Sequence, residues 1–319
     1  MKKNTPWLTL FSAPKPFDRP HIALIQRNAI RSWLALGPEV EVLLLGDEPG
    51  LAEAAREFGV RHLPEVERNA HGTPLIPSMF ALAQEASQAP YLCYLNADIV
   101  LLPHFLPALK AMAAQVEGCF LAVGQRWNLE VTEPLAFGPE AEVALWARVR
   151  NEGRMHPRNG IDFFAFPRGC LNAIPPLVVG RAGWDNWIVY HARTQGWPVV
   201  DLTPSVLVIH QNHDYAHLAV PQGRHPYKQE EAQRNVELAG GLHHMYTIWE
   251  ASHVLARGRV RRQPLRLGGL IHKVELRLQR HGFPHHGWKR ILIRRLRRFR
   301  FWLERREAAR RVPPWPQGR

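Results

Sequence analysis

The stretch Pro90-Tyr91-Leu92-Cys93-Tyr94-Leu95-Asn96-Ala97-Asp98-Ile99-Val100-Leu101-Leu102-Pro103 decides how the rest of the chain is read. Residues 91–95 are almost all apolar or aromatic and lie behind a proline. Such a run suits a strand buried on both faces of a covered sheet. Polar side chains enter only at its carboxyl end, as Asn96-Ala97-Asp98. In open α/β sheets ligands sit at the carboxyl ends of strands. A carboxylate there can take a divalent cation, and the cation can take a diphosphate. The plainer reading of the tripeptide is a polar turn that closes a core strand.

Upstream, strand and helix signals alternate. Residues 7–12 predict a first strand, and the loop behind it places Ser12, Ala13 and Pro14 where a nucleotide commonly sits. Residues 21–36 carry Ile22, Ile25, Ala29, Ile30, Trp33 and Leu34 at helical spacing, and Gly37-Pro38 stops the helix. Residues 40–45 predict a second strand, 51–58 a short helix and 60–63 a third strand. This alternation means a doubly wound, mostly parallel sheet. Asp47 and Glu48 end the second strand, and a carboxylate there serves either as an acceptor for a nucleobase or ribose or as a cap for the next helix. Asn69 and Thr73, in the polar loop at 68–77, are further candidates for the same ligand.

Downstream, residues 103–116 predict a helix, 119–123 a strand, 140–153 a helix and 160–167 a strand. Asp162 interrupts the last of these. A buried carboxylate needs partners, so Asp162 is either a site residue or a turn residue exposed at the strand's start. Trp184-Asp185-Asn186-Trp187 leads into a helix that Gly196 ends. At its mouth Asp185 can cap backbone N–H groups. Two short strands follow at 198–202 and 206–209, and then His210-Gln211-Asn212-His213-Asp214-Tyr215-Ala216-His217. Histidines so closely spaced suit Mn²⁺ as well as Zn²⁺. A zinc hydrolase lacks its His-Glu-X-X-His or cysteine-pair signature.

The order and spacing of these signals across residues 7–217 resemble the GT-A glycosyltransferases, in particular their inverting, family-2-like members. Asn96-Ala97-Asp98 stands where that family carries Asp-X-Asp, with Asn96 in place of the first Asp. The resemblance implies a GT-A-like α/β fold. It implies a nucleotide-sugar donor held by Asn96, Ala97 and Asp98, and Mn²⁺ or Mg²⁺ held by Asp98 and His210. Asp185 takes the role of catalytic base, with Asp162 as its competitor. Trp184, Trp187 and His213 are candidates for the acceptor, a glycan or lipid-linked hydroxyl compound, and His213 is also the second choice, after His210, for the metal.

The charge is uneven. The formal net charge of +13 arises from 20 Lys and Arg against three Glu between Arg257 and Arg319, while the rest of the chain is mildly acidic. Residues 1–235 therefore read as the catalytic domain and 236–319 as a basic, largely helical extension, in which residues 236–256 predict a helix. Within it residues 287–311 place Trp288, Ile291, Leu292, Leu296, Phe299, Trp302 and Leu303 at helical spacing among arginines. A basic amphipathic helix with Trp on its apolar face fits an anionic membrane surface. This reading places the protein in the cytoplasm, at the inner face of the cell membrane. Cys93, Cys119 and Cys170 are odd in number and far apart, which fits unpaired thiols in a reducing compartment. The alternative function is a catalytically silent GT-A-like module that binds nucleic acid or another polyanion through its tail.

Overall fold

The structure is a computed structural model that describes residues 5–213, 229–284 and 286–314. It is mixed α/β, with a largely parallel central sheet and a C-terminal helical layer, as the alternation of signals predicts. The first half of that sheet comes from β1 (Leu8–Ser12), β2 (Val40–Leu45), β3 (Arg61–Leu63) and β4 (Tyr91–Leu95), all parallel. The crossovers are α1 (Pro20–Leu34), α2 (Leu51–Phe58) and α3 (Ile76–Ala86). Leu92, Cys93, Tyr94 and Leu95 of β4 are all buried, and the pleat divides them. Cys93 and Leu95 enter the core under α1 and α2, whereas Leu92 and Tyr94 enter the core under α3. A strand covered on both faces has no polar side, which is why residues 91–95 show no alternation.

Past β4 the chain makes a second, smaller sheet. β5 (Ile99–Leu101) leaves the Asp98 turn and α4 (Phe105–Ala113) follows. β6 (Leu121–Val123) rejoins the main sheet, and β7 (Trp127–Leu129) leaves it again. α5 (Pro139–Glu152) and β8 (Arg154–Met155) cover and edge the small sheet. β9 (Phe163–Pro167) inserts antiparallel between β4 and β6. α6 (Trp184–Thr194) packs beside α3, then β10 (Val199–Asp201) extends the main sheet and β11 (Val208–Gln211) completes the small one between β5 and β7.

Cys119 and Cys170 are joined by a disulfide, so the expectation of unpaired cysteines is corrected and only Cys93 is free. Cys119 precedes β6 and Cys170 follows β9, and these strands are neighbours. A separation of 51 residues hides that adjacency from a reading along the chain. The argument from cysteine usage for a reducing compartment falls with it.

The extension contributes strands as well as helices. The segment 236–256, expected as one helix, is instead α7 (Glu230–Leu238), two 3-10 turns and β12 (His253–Ala256). Gly240 and Gly241, both at positive φ, end α7. β12 pairs parallel with β10 and antiparallel with β13 (Arg259–Arg262), so the extension supplies the edge of the nine-stranded sheet. Arg257 and Gly258 both have positive φ, which a tight two-residue hairpin turn requires.

α8 (Leu267–Leu278) and α9 (Gly287–Ala309) pack on each other, and α8 packs on the two 3-10 turns. The inward face of α9 is ionic. Arg300 contacts Glu275 at 2.9 Å and Glu304 at 3.0 Å, and Glu307 contacts the buried Arg158 at 3.0 Å. Arg158 also lies 4.4 Å from the ring of Trp249. Of the apolar residues expected on one face of this helix, Trp288, Ile291, Phe299 and Trp302 are exposed. None of the described helices is long and apolar enough to cross a membrane.

Candidate active site

The metal-type cluster follows from sheet register. β5 and β11 run antiparallel with His210 opposite Ile99, which sets His210 beside the Asp98 turn. Gln211 clamps this junction. Its Nε2 donates to Ile25 O at 2.7 Å, its Oε1 accepts from Asn28 of α1, and its backbone N–H donates to Asp98 O. Asp98 Oδ2 then lies 2.9 Å from His213 Nε2 and 3.6 Å from His210 Nε2. Among the described residues Asp98, His210 and His213 form the one such cluster, with candidate ligand atoms within 4.8 Å of one another. His213, expected at the acceptor and as the second choice for the metal, lies in this cluster. Asp214 and His217 of the same motif lie outside the described residues.

Burial alone would raise the Asp98 carboxyl, but His210, His213 and Lys15 outweigh it and hold the group well below the usual carboxylate range. Burial lowers His210, against the pull of Asp98, and keeps the ring neutral. A neutral imidazole and an ionised carboxylate are the protonation states that bind a metal. Asp98 Oδ1 and His210 Nδ1 are also buried with no hydrogen-bond partner among the described residues. An N/N/O donor set with spare lone pairs fits Mn²⁺ or Mg²⁺, and imidazole favours Mn²⁺.

The cluster opens into a cavity of about 300 Å³ at the carboxyl ends of β1 and β4. Of the expected donor residues, Ala13, Pro14, Thr73, Asn96, Ala97 and Asp98 line it. Ser12 is fully buried beneath the loop and does not. Asp47 points outward, 67% exposed, and pairs with Arg68, whereas its neighbour Glu48 turns into the cavity. The turn between them and β2 passes through Gly46 at a φ of +106°, which favours glycine. Asn69 is a structural residue. Its Oδ1 closes its own loop, and its Nδ2 donates to Glu231 at 2.8 Å.

Asp162 is buried and lines the cavity. Its Oδ1 accepts from Asn96 at 2.9 Å and from Arg126, and its backbone oxygen accepts from Asn96 N–H. A buried carboxylate compensated in this way fixes the Asn96–Asp98 turn and holds Arg126 against the cavity. Asp185 stands in the first turn of α6. Burial pushes its carboxyl up to about 6, while the Asn186 N–H opposes the rise and the Asp162 charge adds to it. Asp185 Oδ1 is buried without a partner among the described residues. Asp185 does not line the cavity, but its charge acts on Asp162 and Tyr94, which do.

Trp184 and Trp187, expected to offer ring faces to an acceptor, are core residues, 5% and 7% exposed. Trp184 packs edge-on against Tyr94 with 5.1 Å between centroids, and Trp187 stacks on His191. Neither ring reaches the cavity.

Several residues at the site have no sequence signal of their own. Gln26, buried in α1, makes two hydrogen bonds to the backbone of Lys15, at 2.6 and 2.9 Å, and so sets the loop that brings Lys15 to the cavity. Glu231 of α7 accepts from Thr73 at 2.7 Å and pairs with Arg181 at 2.8 Å, joining the loops on the two sides of the opening. Burial opposes its charged form, but the hydrogen bonds from Thr73 and Asn69 and the charge of Arg181 prevail and hold the carboxyl low.

No protein-family model and no curated protein matches the chain. Solved structures do show similarity. One is glucosyl-3-phosphoglycerate synthase from Mycobacterium tuberculosis in complex with Mn²⁺, uridine diphosphate and glucosyl-3-phosphoglycerate. It is 15% identical over 83% of this chain and 89% of that one, with a TM-score of 0.45. Another is a mannosyltransferase from Pyrobaculum calidifontis in complex with GDP-mannose and Mn²⁺. It is 12% identical over 96% of this chain and 80% of that one, with a TM-score of 0.46. Likeness this distant transfers neither substrate nor mechanism.

The cluster predicts that Asp98→Ala loses most of its Mn²⁺ affinity, read by titration calorimetry, and remains folded by circular dichroism. Unchanged Mn²⁺ affinity in the folded variant contradicts the assignment.

Proposed function

We propose that the chain is a metal-dependent glycosyltransferase that moves a sugar from a nucleotide-sugar to a hydroxyl acceptor. The observation that carries this reading is the Asp98–His210–His213 cluster, opening at the carboxyl end of the central strand into a cavity lined by Lys15, Arg126 and Arg181. Cations around a cavity of that size suit a diphosphate. A Mn²⁺ or Mg²⁺ ion held by Asp98, His210 and His213 supplies positive charge against the diphosphate that leaves with the nucleotide. Lys15, Arg126 and Arg181 bind and orient the same group. Of the two carboxylates read for a ribose or base donor, Glu48 rather than Asp47 lines the cavity and takes that role here.

The acceptor oxygen must lose a proton as it attacks the sugar carbon. A base works best with a pKa near the working pH, and burial lifts Asp185 to about 6. Asp162 has one oxygen committed to Asn96 and Arg126. Asp185 is the base in this reading on its raised carboxyl, and Asp162, which lines the cavity and keeps Oδ2 without a hydrogen-bond partner among the described residues, is its competitor. Inversion at the sugar carbon follows from that role. A lipid-linked or cell-envelope glycan remains the proposed acceptor.

The reading predicts that Asp185→Asn slows transfer by about 10²–10⁴-fold. The amide oxygen still accepts the cap bond, so the melting temperature changes little; a lost cap alone costs only about 1 kcal/mol. Only the ionised carboxylate takes a proton, so wild-type turnover falls as the pH drops through about 6. Near-normal transfer by Asp185→Asn would sink the assignment.

We further infer that the outer face of α9 meets an anionic membrane surface, with exposed Trp288, Ile291, Phe299 and Trp302 between arginines. Deleting the helix does not test this cleanly, because it strips Arg158 and Glu275 of buried partners, a loss that costs about 3–5 kcal/mol. Replacing the four exposed residues by Ala leaves those pairs intact. This variant is expected to stay in solution when phosphatidylglycerol vesicles are sedimented. Sedimentation equal to wild type contradicts the inference.

A further inference from the structure

A second cavity, of about 660 Å³, lies among the end of α6, the 3-10 turn Ile248–Glu250, β13 and α8. It shares no lining residue with the cavity at Asp98. Its wall carries Arg193, Arg262, Arg266, Lys273, Arg277 and Arg280. Arg266 pairs with Glu307, and none of the other five has a carboxylate partner among the described residues. The single acid of the wall, Glu250, is engaged elsewhere: Oε1 lies 2.9 Å from His272 Nδ1, and Oε2 accepts from the Thr247 backbone at 2.8 Å. Gln263 Oε1 and His243 Nδ1, both from lining residues, are buried with no hydrogen-bond partner among the described residues.

Cations gathered in a concave wall repel one another and focus a positive potential into it. Such a concentration is relieved by an anion that several guanidinium groups can hold at once, and phosphate oxygens match the guanidinium fork. Leu265 and Leu270 stand at the mouth, 84% and 46% exposed, and give the opening an apolar lip. We propose that this cavity is a binding site for a phosphate or diphosphate group, separate from the donor cavity.

A single helix runs from Asp185, behind the wall of the donor cavity, to the basic cavity. Arg193, in the last turn of α6, faces the basic cavity, and Asp185 occupies the first turn. Eleven residues of helix span about 16 Å. The phosphate source is either an anionic lipid headgroup, whose chains the leucine lip would meet, or a soluble phosphorylated compound.

The test uses the full chain in a buffer with EDTA and titrates it with sodium pyrophosphate. The double variant Lys273→Ala/Arg277→Ala removes two exposed, unpaired charges, and Arg294→Ala/Arg295→Ala removes two exposed charges of α9 outside the cavity. The first variant is expected to bind pyrophosphate at least about tenfold more weakly than wild type, the scale of losing one hydrogen bond to a charged group. The second is expected to bind as wild type does, and both are expected to melt no lower than wild type. A parallel assay uses phosphatidylcholine vesicles with and without phosphatidic acid. Loss of phosphatidic-acid-dependent binding in the first variant assigns the site to a lipid headgroup. Vesicle binding that persists while pyrophosphate is lost assigns it to a soluble phosphate compound. Equal pyrophosphate affinity in wild type and the first variant, or equal weakening in both variants, overturns the site.

Discussion

A carboxylate removed from water has to be compensated, and the compensation of Asp98 organises this molecule. The two imidazoles beside it come from β11 and the residues behind it, far along the chain. They arrive because β11 pairs antiparallel with β5, and β5 is the continuation of the Asp98 turn. The small sheet is thus the frame that closes the metal-type cluster. Asn28 and Gln26 of α1 then fix the two sides of the cavity from below, one through Gln211 and the other through the Lys15 loop. Each contact is a buried polar group finding its partner, and together they leave little freedom in where the cluster opens.

A second buried carboxylate, Asp162, divides the labour at the site. Its hydrogen bonds to Asn96 and Arg126 hold the turn that carries Asp98. Its charge also adds to the rise of Asp185 towards about 6. Neighbouring carboxyl groups in different surroundings acquire different protonation behaviour, the usual route to separate roles at one site. The basic extension is bound to the same body through Arg158, Glu275, Glu304 and Glu307, so its charge is partly internal. What remains outward is the aromatic face of α9 and the cationic wall beside α8.

The strands and helices up to β4 were legible because each buried strand reads as an apolar run and each helix as a periodic one. Asp98, Asp162, Asp185 and His210 were legible for a related reason, as polar residues interrupting or ending apolar segments. What the chain pattern left out has one main physical cause. The contributions of Gln26, Gln211 and Glu231 depend on partners brought close only by sheet register, and pattern along the chain carries no register. The same holds for the disulfide between Cys119 and Cys170. Trp184 and Trp187 look like sugar platforms in sequence, yet indole rings serve equally well as core, and packing against Tyr94 and His191 made them so. The segment at 236–256 was read as one helix despite Gly240-Gly241, whose positive φ values forbid it.

The central claim is that the cavity at Asp98 takes a nucleotide-sugar together with a divalent cation. A panel of nucleotide-sugars, each measured by thermal denaturation with Mn²⁺ and with EDTA, tests it most directly. A ligand that binds only the folded chain stabilises it by about 2.7 kcal/mol at a hundredfold excess over its dissociation constant. The account predicts that at least one nucleotide-sugar raises the melting temperature of wild type with Mn²⁺, and that EDTA abolishes the rise. A panel in which none does so, or in which the rise is the same with EDTA, contradicts it.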